Sequence, residues 1–124
     1  MFELEKTFHF EAGHSLEHHD GKCRGPHGHS YILQVRVRGM GLTASGPKTN
    51  MVLDFCDISR TVKPMIAEYL DHKWINSTLN SDSPTVEFIA KWIYDYLKPL
   101  LSGLYAITLY ETATSKVTYM PDQK

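Results

Sequence analysis

Cys23-Arg24-Gly25-Pro26-His27-Gly28-His29-Ser30-Tyr31-Ile32-Leu33-Gln34-Val35-Arg36-Val37 decides how this chain is read, because two histidines head a run with apolar residues at odd positions. Such alternation predicts a strand from about residue 27 to 40. Successive strand side chains leave opposite faces, so His27 and His29 share a face with Tyr31, Leu33, Val35 and Val37. Upstream, Phe2, Leu4, Phe8, Phe10 and Ala12 alternate with Glu3, Glu5, Thr7, His9 and Glu11, which predicts a half-buried first strand over 2–12. His14 keeps the apolar parity beyond Gly13, so it projects from that strand toward the same region as the histidine pair. Three imidazoles and the Cys23 thiol within sixteen positions can hold a metal. Zinc suits nitrogen and sulfur ligands, and three histidines leave its fourth position to water or substrate. The competing reading is a solvated polar loop whose glycine only marks a bulge or a tight strand entrance. His18 and His19, inside Glu17-His18-His19-Asp20-Gly21, read as loop residues.

The 124 residues predict a single domain, 1–124, with room for one core. Apolar content of 42% beside 22% charged residues is ordinary for a soluble globular chain. A formal charge of −1 gives no support to a nucleic-acid partner, which usually brings a basic excess. No apolar run approaches the roughly 18 residues that cross a bilayer. Met1-Phe2-Glu3-Leu4-Glu5-Lys6 lacks the order of a signal peptide, so no membrane partner and a cytoplasmic location are expected. In a reducing compartment Cys23 and Cys56 are expected as free thiols. Cys56, beside Phe55 and after Met51-Val52-Leu53, reads as a packing residue. Cys23 sits in a polar loop where neighbouring cationic or metal charge favours the reactive thiolate.

Residues 41–50 read as a connector with Gly46-Pro47. Ile58, Val62, Met65, Ile66, Tyr69 and Leu70 recur at helical spacing, with Pro64 marking a kink and an end near Leu70-Asp71-His72. A second helix is expected from Ser83 as N-cap and Pro84 as first residue, lined by Val86, Ile89, Ala90, Ile93 and Leu97. Leu104 to Ala113 and Lys116 to Met120 then alternate as a hairpin. Strand, strand, helix, helix, strand, strand predicts an α+β domain whose two helices cover one face of a four-stranded antiparallel sheet.

Two further features carry chemistry. Asp71-His72 sets a carboxylate beside an imidazole, although adjacent side chains usually diverge and the pair equally dresses a helix end. Glu111 shares parity with Tyr105, Ile107 and Leu109, and a carboxylate on an apolar face is costly without a partner. Either a lysine or arginine meets it, or it grips a ligand with adjacent N–H donors.

With these residues in view, the chain resembles the 6-pyruvoyltetrahydropterin and 6-carboxytetrahydropterin synthase family. The likeness runs through Phe8-His9-Phe10-Glu11-Ala12-Gly13-His14, Cys23 to Tyr31, Val52-Leu53-Asp54-Phe55, Leu70-Asp71-His72, Pro84-Thr85-Val86-Glu87 and Tyr110-Glu111-Thr112. It implies a tunnelling fold (T-fold), in which subunits join their sheets into a β-barrel of trimers, commonly stacked as a hexamer, with sites between subunits. It also implies that His14, His27 and His29 bind Zn2+, that Cys23 is the general base, that Asp71 and His72 form a proton relay, and that Glu111 anchors a pterin ring. Thr85 and Glu87 match a segment near the pterin pocket and equally suit a first helical turn. Three residues between Cys23 and His27 are similar to the bacterial 6-carboxytetrahydropterin branch, whereas the animal 6-pyruvoyl enzymes usually have five. The resemblance therefore implies conversion of 7,8-dihydroneopterin triphosphate to 6-carboxy-5,6,7,8-tetrahydropterin, acetaldehyde and triphosphate, in queuosine precursor synthesis. Two rivals stand beside it: a 6-pyruvoyl product on the same scaffold, and a non-catalytic module in which Cys23 closes a Cys-His₃ zinc site.

Overall fold

The computed structural model describes residues 1–121. Its spine is a pair of thirteen-residue antiparallel strands, β1 (Phe2–His14) and β2 (His27–Gly39), in register from Phe2 opposite Gly39 to His14 opposite His27. β1 thus runs two residues beyond the alternation that predicts it. Gly13 and Gly28 stand opposite each other there. A Cβ on Gly28 would lie 3.3 Å from the Ala12 carbonyl oxygen, and one on Gly13 would press at 3.4 Å on the Trp74 ring. The missing side chains let the strands stay paired to their ends, where both carry histidines.

β4 (Leu104–Thr112) pairs antiparallel with β2, and β5 (Ser115–Tyr119) closes the carboxyl-terminal hairpin. All four antiparallel strands read from the sequence are present. A fifth, β3 (Lys73–Trp74), adds in parallel to β1 through Ala12 and Gly13, so the sheet is mixed, in the order β3-β1-β2-β4-β5. Two residues carry no legible periodicity, which is why alternation alone misses this strand.

One sheet face carries Phe8, Phe10, Tyr31, Leu33, Val35, Ile107 and Leu109, all buried. Against it pack α1 (Phe55–Met65) through Ile58, Val62 and Met65, and α3 (Val86–Leu97) through Ile89, Ile93 and Leu97. The other face is polar, with Glu3 between Arg36 and Arg38 at 3.2 and 2.8 Å. Pro64 does not end α1; past Met65 the helix widens into a π turn over Ile66–Leu70, where the Asp71 N–H reaches back five residues to the Ile66 carbonyl. A single turn, α2 (Ile75–Thr78), follows β3.

Two local expectations are corrected. The N-cap of α3 is Thr85, whose hydroxyl accepts from the Phe88 N–H at 3.1 Å, and Ser83 and Pro84 lie outside the helix. Were Pro84 the first helical residue, its carbonyl would accept that N–H; the threonine cap leaves it free. Cys56 is exposed, because Asp54 caps α1 by accepting the Cys56 N–H and sets this residue on the solvent side of the first turn. Both cysteines are free thiols. No helix among the described residues is long and apolar enough to cross a membrane.

Candidate functional site

The last rungs of the β1–β2 ladder bring three imidazoles together. His14 pairs with His27, His29 lies opposite Ala12, and the ring centroids of the three stand 4.6 to 5.2 Å apart. One nitrogen from each falls within 4.8 Å of the others. His14 is fully buried and His29 largely so. Their Nε2 atoms are buried without a hydrogen-bond partner among the described residues. Orphaned polar atoms of this kind are costly, and three convergent imidazoles with unused nitrogens are the donor set zinc favours.

Backbone carbonyls set the tautomers. His14 Nδ1 lies 2.9 Å from the Pro84 carbonyl oxygen, and His27 Nδ1 lies 2.8 Å from that of Gly25. A carbonyl only accepts, so each Nδ1 carries the proton and each Nε2 keeps its lone pair. This is how metal-binding histidines are commonly oriented. Burial holds the His14 and His29 imidazoles below the ordinary histidine pKa, which favours the neutral form that binds metal.

The remaining predicted residues are distributed around this trio. Glu111 lies where the β4–β5 register shifts, and its Oε2 stands 3.8 Å from Nε2 of both His14 and His29. Neither a lysine nor an arginine meets it among the described residues. Cys23 sits half-buried in a 3₁₀ turn, Lys22–Arg24, and its carbonyl accepts from the Leu16 N–H. The structure does not place its sulfur in the imidazole cluster. Asp71 and His72 do pair, at 3.0 Å, but on the outer edge of β1. There Asp71 accepts from the Glu11 N–H at 3.0 Å and His72, at φ +58°, donates its own N–H to the Glu11 carbonyl. The Glu11 amide, with help from His72, holds the Asp71 carboxyl below the usual carboxylate range. The left-handed turn at His72 sends the imidazole out to 77% exposure. An open cleft of about 660 Å³ is bordered by His27 and His29 at one side and by His72 and Trp74 at the other. Thr85 has its hydroxyl oxygen engaged as a cap. His18 bonds Asp82 at 2.9 Å and His19 accepts from Gly21, as loop residues do.

Sequence reasoning misses three contributors. The Asn76 carboxamide accepts from the Ser15 N–H and donates to the Ser15 carbonyl, both at 2.9 Å, replacing the strand partner that β1 lacks just past His14. Pro84 offers the carbonyl that orients His14. Tyr31, stacked on Phe10 and edge-on to His29, has a buried hydroxyl without a partner, and burial pushes its phenol well above the ordinary value. Only the tyrosine has a sequence signal, its place two residues beyond His29 on the buried parity.

Residues 3–122 match the family model described as 6-pyruvoyl tetrahydropterin synthase. The chain belongs to that family. It is 41% identical over 120 residues to a 6-carboxy-5,6,7,8-tetrahydropterin synthase from Synechocystis sp., covering 96% of this chain and 93% of that one. It is 37% identical to a protein of the same name from Haemophilus influenzae, over 96% and 99% of the two chains. Among solved structures, the Caenorhabditis elegans 6-pyruvoyl tetrahydropterin synthase superposes with a TM-score of 0.83 at 25% identity, over 98% of this chain and 96% of that one. The tunnelling fold implied by the sequence is thus the fold of this member of the 6-pyruvoyl tetrahydropterin synthase family.

Proposed function

We propose that this protein is a zinc-dependent 6-carboxy-5,6,7,8-tetrahydropterin synthase, converting 7,8-dihydroneopterin triphosphate to 6-carboxytetrahydropterin, acetaldehyde and triphosphate for queuosine precursor synthesis in the cytoplasm. The observation that carries the reading is the trio His14, His27 and His29, in which the Nε2 atoms of His14 and His29 are buried and unpartnered among the described residues, beside the Glu111 carboxylate. The names of the 41% and 37% identical relatives and the three-residue spacing from Cys23 to His27 favour the carboxy branch.

His14, His27 and His29 hold Zn2+, which supplies a Lewis acid that makes a neighbouring C–H more acidic and stabilises negative charge on oxygen. The Cys23 thiolate takes that proton from the substrate side chain. His72, oriented by Asp71, moves protons to and from the side chain as triphosphate leaves and the C–C bond breaks. Glu111 accepts two parallel hydrogen bonds from the pterin's exocyclic amine and ring N–H. Thr85, its oxygen engaged with Phe88, has an O–H to donate toward the same ring.

The active assembly is a homo-oligomer, a trimer or a hexamer of stacked trimers. Outside Glu11 to Gly13, the outer edge of β1 has no strand partner among the described residues, and neither has the outer edge of β5. Joining such edges closes sheets into a barrel and removes exposed ladder groups. The exposure of His72 suits a relay that serves a histidine trio across a subunit boundary.

Mass spectrometry of products from zinc-loaded protein and 7,8-dihydroneopterin triphosphate, with acetaldehyde trapped in the same tube, tests the reading. A carboxypterin with acetaldehyde is expected. A pyruvoyl product moves the protein to the other branch of the family, and no turnover by a folded, zinc-replete oligomer rejects the proposed reaction.

A further inference from the structure

Two backbone irregularities flank Asp71. Before it, the π turn Ile66–Leu70 holds one residue more than an α-helical turn, so the Asp71 N–H reaches the Ile66 carbonyl at 2.8 Å. After it, His72 takes a left-handed φ of +58°, which a residue with a Cβ keeps only where its surroundings impose it. The Asp71 carboxylate between them accepts from the Glu11 N–H and meets His72 Nδ1, both at 3.0 Å. π turns and left-handed residues of this kind collect at functional sites, where they aim side chains that a regular helix would misplace. Register is what matters here. In an α-helical turn the Asp71 N–H would bond to Ala67, and a shift of one residue turns the chain beyond it by about 100°.

A side chain from outside the turn holds this register. A helix leaves its last carbonyls without intrahelical partners, and that of Tyr69 is one of them. Thr78 Oγ1 donates to it at 2.6 Å. Thr78 ends α2, which is fixed independently of the π turn by the fully buried Ile75 and by the bond of 2.9 Å from the Leu79 N–H to the Ile75 carbonyl. The Tyr69 ring is itself held edge-on to Trp92 and Tyr96, with centroids 5.1 and 5.5 Å away. Its carbonyl shares one rigid peptide plane with the N–H of Leu70, the fully buried residue just before Asp71. Without the hydroxyl, that part-buried carbonyl regains a partner only by rotation of the plane, and the rotation passes into Asp71.

We infer that Thr78 is a positioning residue for the Asp71–His72 pair, its hydroxyl fixing the π turn that sets the pair at the edge of β1. This rests on the reading of Asp71 and His72 as a proton relay. Thr78 acts through the Tyr69 carbonyl and takes no part in proton transfer itself.

The test uses the whole zinc-loaded protein. Thr78→Val keeps the shape of the side chain and removes its donor, whereas Thr78→Ser keeps the donor. With 7,8-dihydroneopterin triphosphate, Thr78→Val should lower kcat by about ten- to a hundredfold, since a misplacement of about 1 Å costs on the order of a hundredfold. KM and zinc content should stay as in wild type, and Thr78→Ser should restore kcat. Nitrogen NMR of labelled histidine gives a readout apart from turnover, with the His72 signals identified by their loss in His72→Gln. They should shift in Thr78→Val and return in Thr78→Ser, and circular dichroism and melting follow the folding of each variant. Wild-type kcat with unshifted His72 signals in Thr78→Val overturns the inference. A loss of turnover that Thr78→Ser shares, or that comes with loss of zinc or of folded protein, overturns it as well and leaves the bond a structural one. A folded, zinc-replete wild type without turnover rejects the proposed reaction, and the His72 signals alone then decide whether Thr78 positions the pair.

Discussion

Replacing Asn76 tests whether one carboxamide holds the end of β1, and with it His14, in place. The side chain makes two bonds of 2.9 Å to the backbone N–H and carbonyl of Ser15, which is nearly buried. Removing it strands one donor and one acceptor where water reaches poorly. An unsatisfied buried group costs about 1–3 kcal/mol, so Asn76→Ala should destabilise the metal-free protein by about 2–3 kcal/mol, with part of each group regaining water. His14 is the neighbouring residue, and its ring is held by packing and by the Pro84 carbonyl. Loosening its backbone should weaken zinc binding by about 10–100-fold, as loss of outer-shell support does elsewhere. Urea unfolding of the metal-free protein and chelator competition measure the two effects. Asn76→Asp separates hydrogen bonding from volume. The aspartate fills the same space and still accepts from Ser15 N–H, yet sets a carboxylate oxygen against the Ser15 carbonyl where an N–H belongs. It should be no better than alanine. An aspartate variant as stable as wild type, or an alanine variant within about 0.5 kcal/mol of it, refutes the clamp.

Three further outcomes are expected. Cys23→Ala should keep its zinc and its melting temperature and lose turnover, and parallel loss of metal and stability would instead support a closed structural site. The stability of the metal-free protein should fall as pH drops below about 6.5, because His14 and His29 bind protons less readily folded than unfolded; above that value their contribution is complete. Urea midpoints between pH 7.5 and about 5 that do not decline would contradict this assignment. Thr85→Ala should cost about 1 kcal/mol through loss of the bond to Phe88 N–H, while Ser83→Ala should cost almost nothing, and thermal melts of the two variants rank the caps.

Alternation made β1, β2, β4 and β5 legible because a half-buried strand must repeat every two residues, and the same parity placed His14, His27 and His29 on one face before any contact was known. Parity likewise put Glu111 on the buried side of its strand, though not which partner it meets. The helix starts two residues later than expected because Ser83 and Thr85 are both good caps in isolation, and in the fold it is the Thr85 hydroxyl that accepts the Phe88 N–H while the Pro84 carbonyl meets His14. Cys56 looked like a core residue because its neighbours are apolar, whereas the Asp54 cap sets the phase of α1 and turns it outward.

What periodicity and spacing encode is therefore what the sequence determined by itself, the four antiparallel strands, the helix faces and the shared parity of the three histidines, while its motifs carry the likeness to a family. What only the tertiary structure decided are contacts between residues distant along the chain, such as Asn76 with Ser15, Asp71 with the Glu11 amide, and Glu111 with His14 and His29. Side-chain period follows from local backbone geometry and survives in any short window of sequence, whereas which polar atom meets which depends on how whole elements dock, and no local pattern carries that.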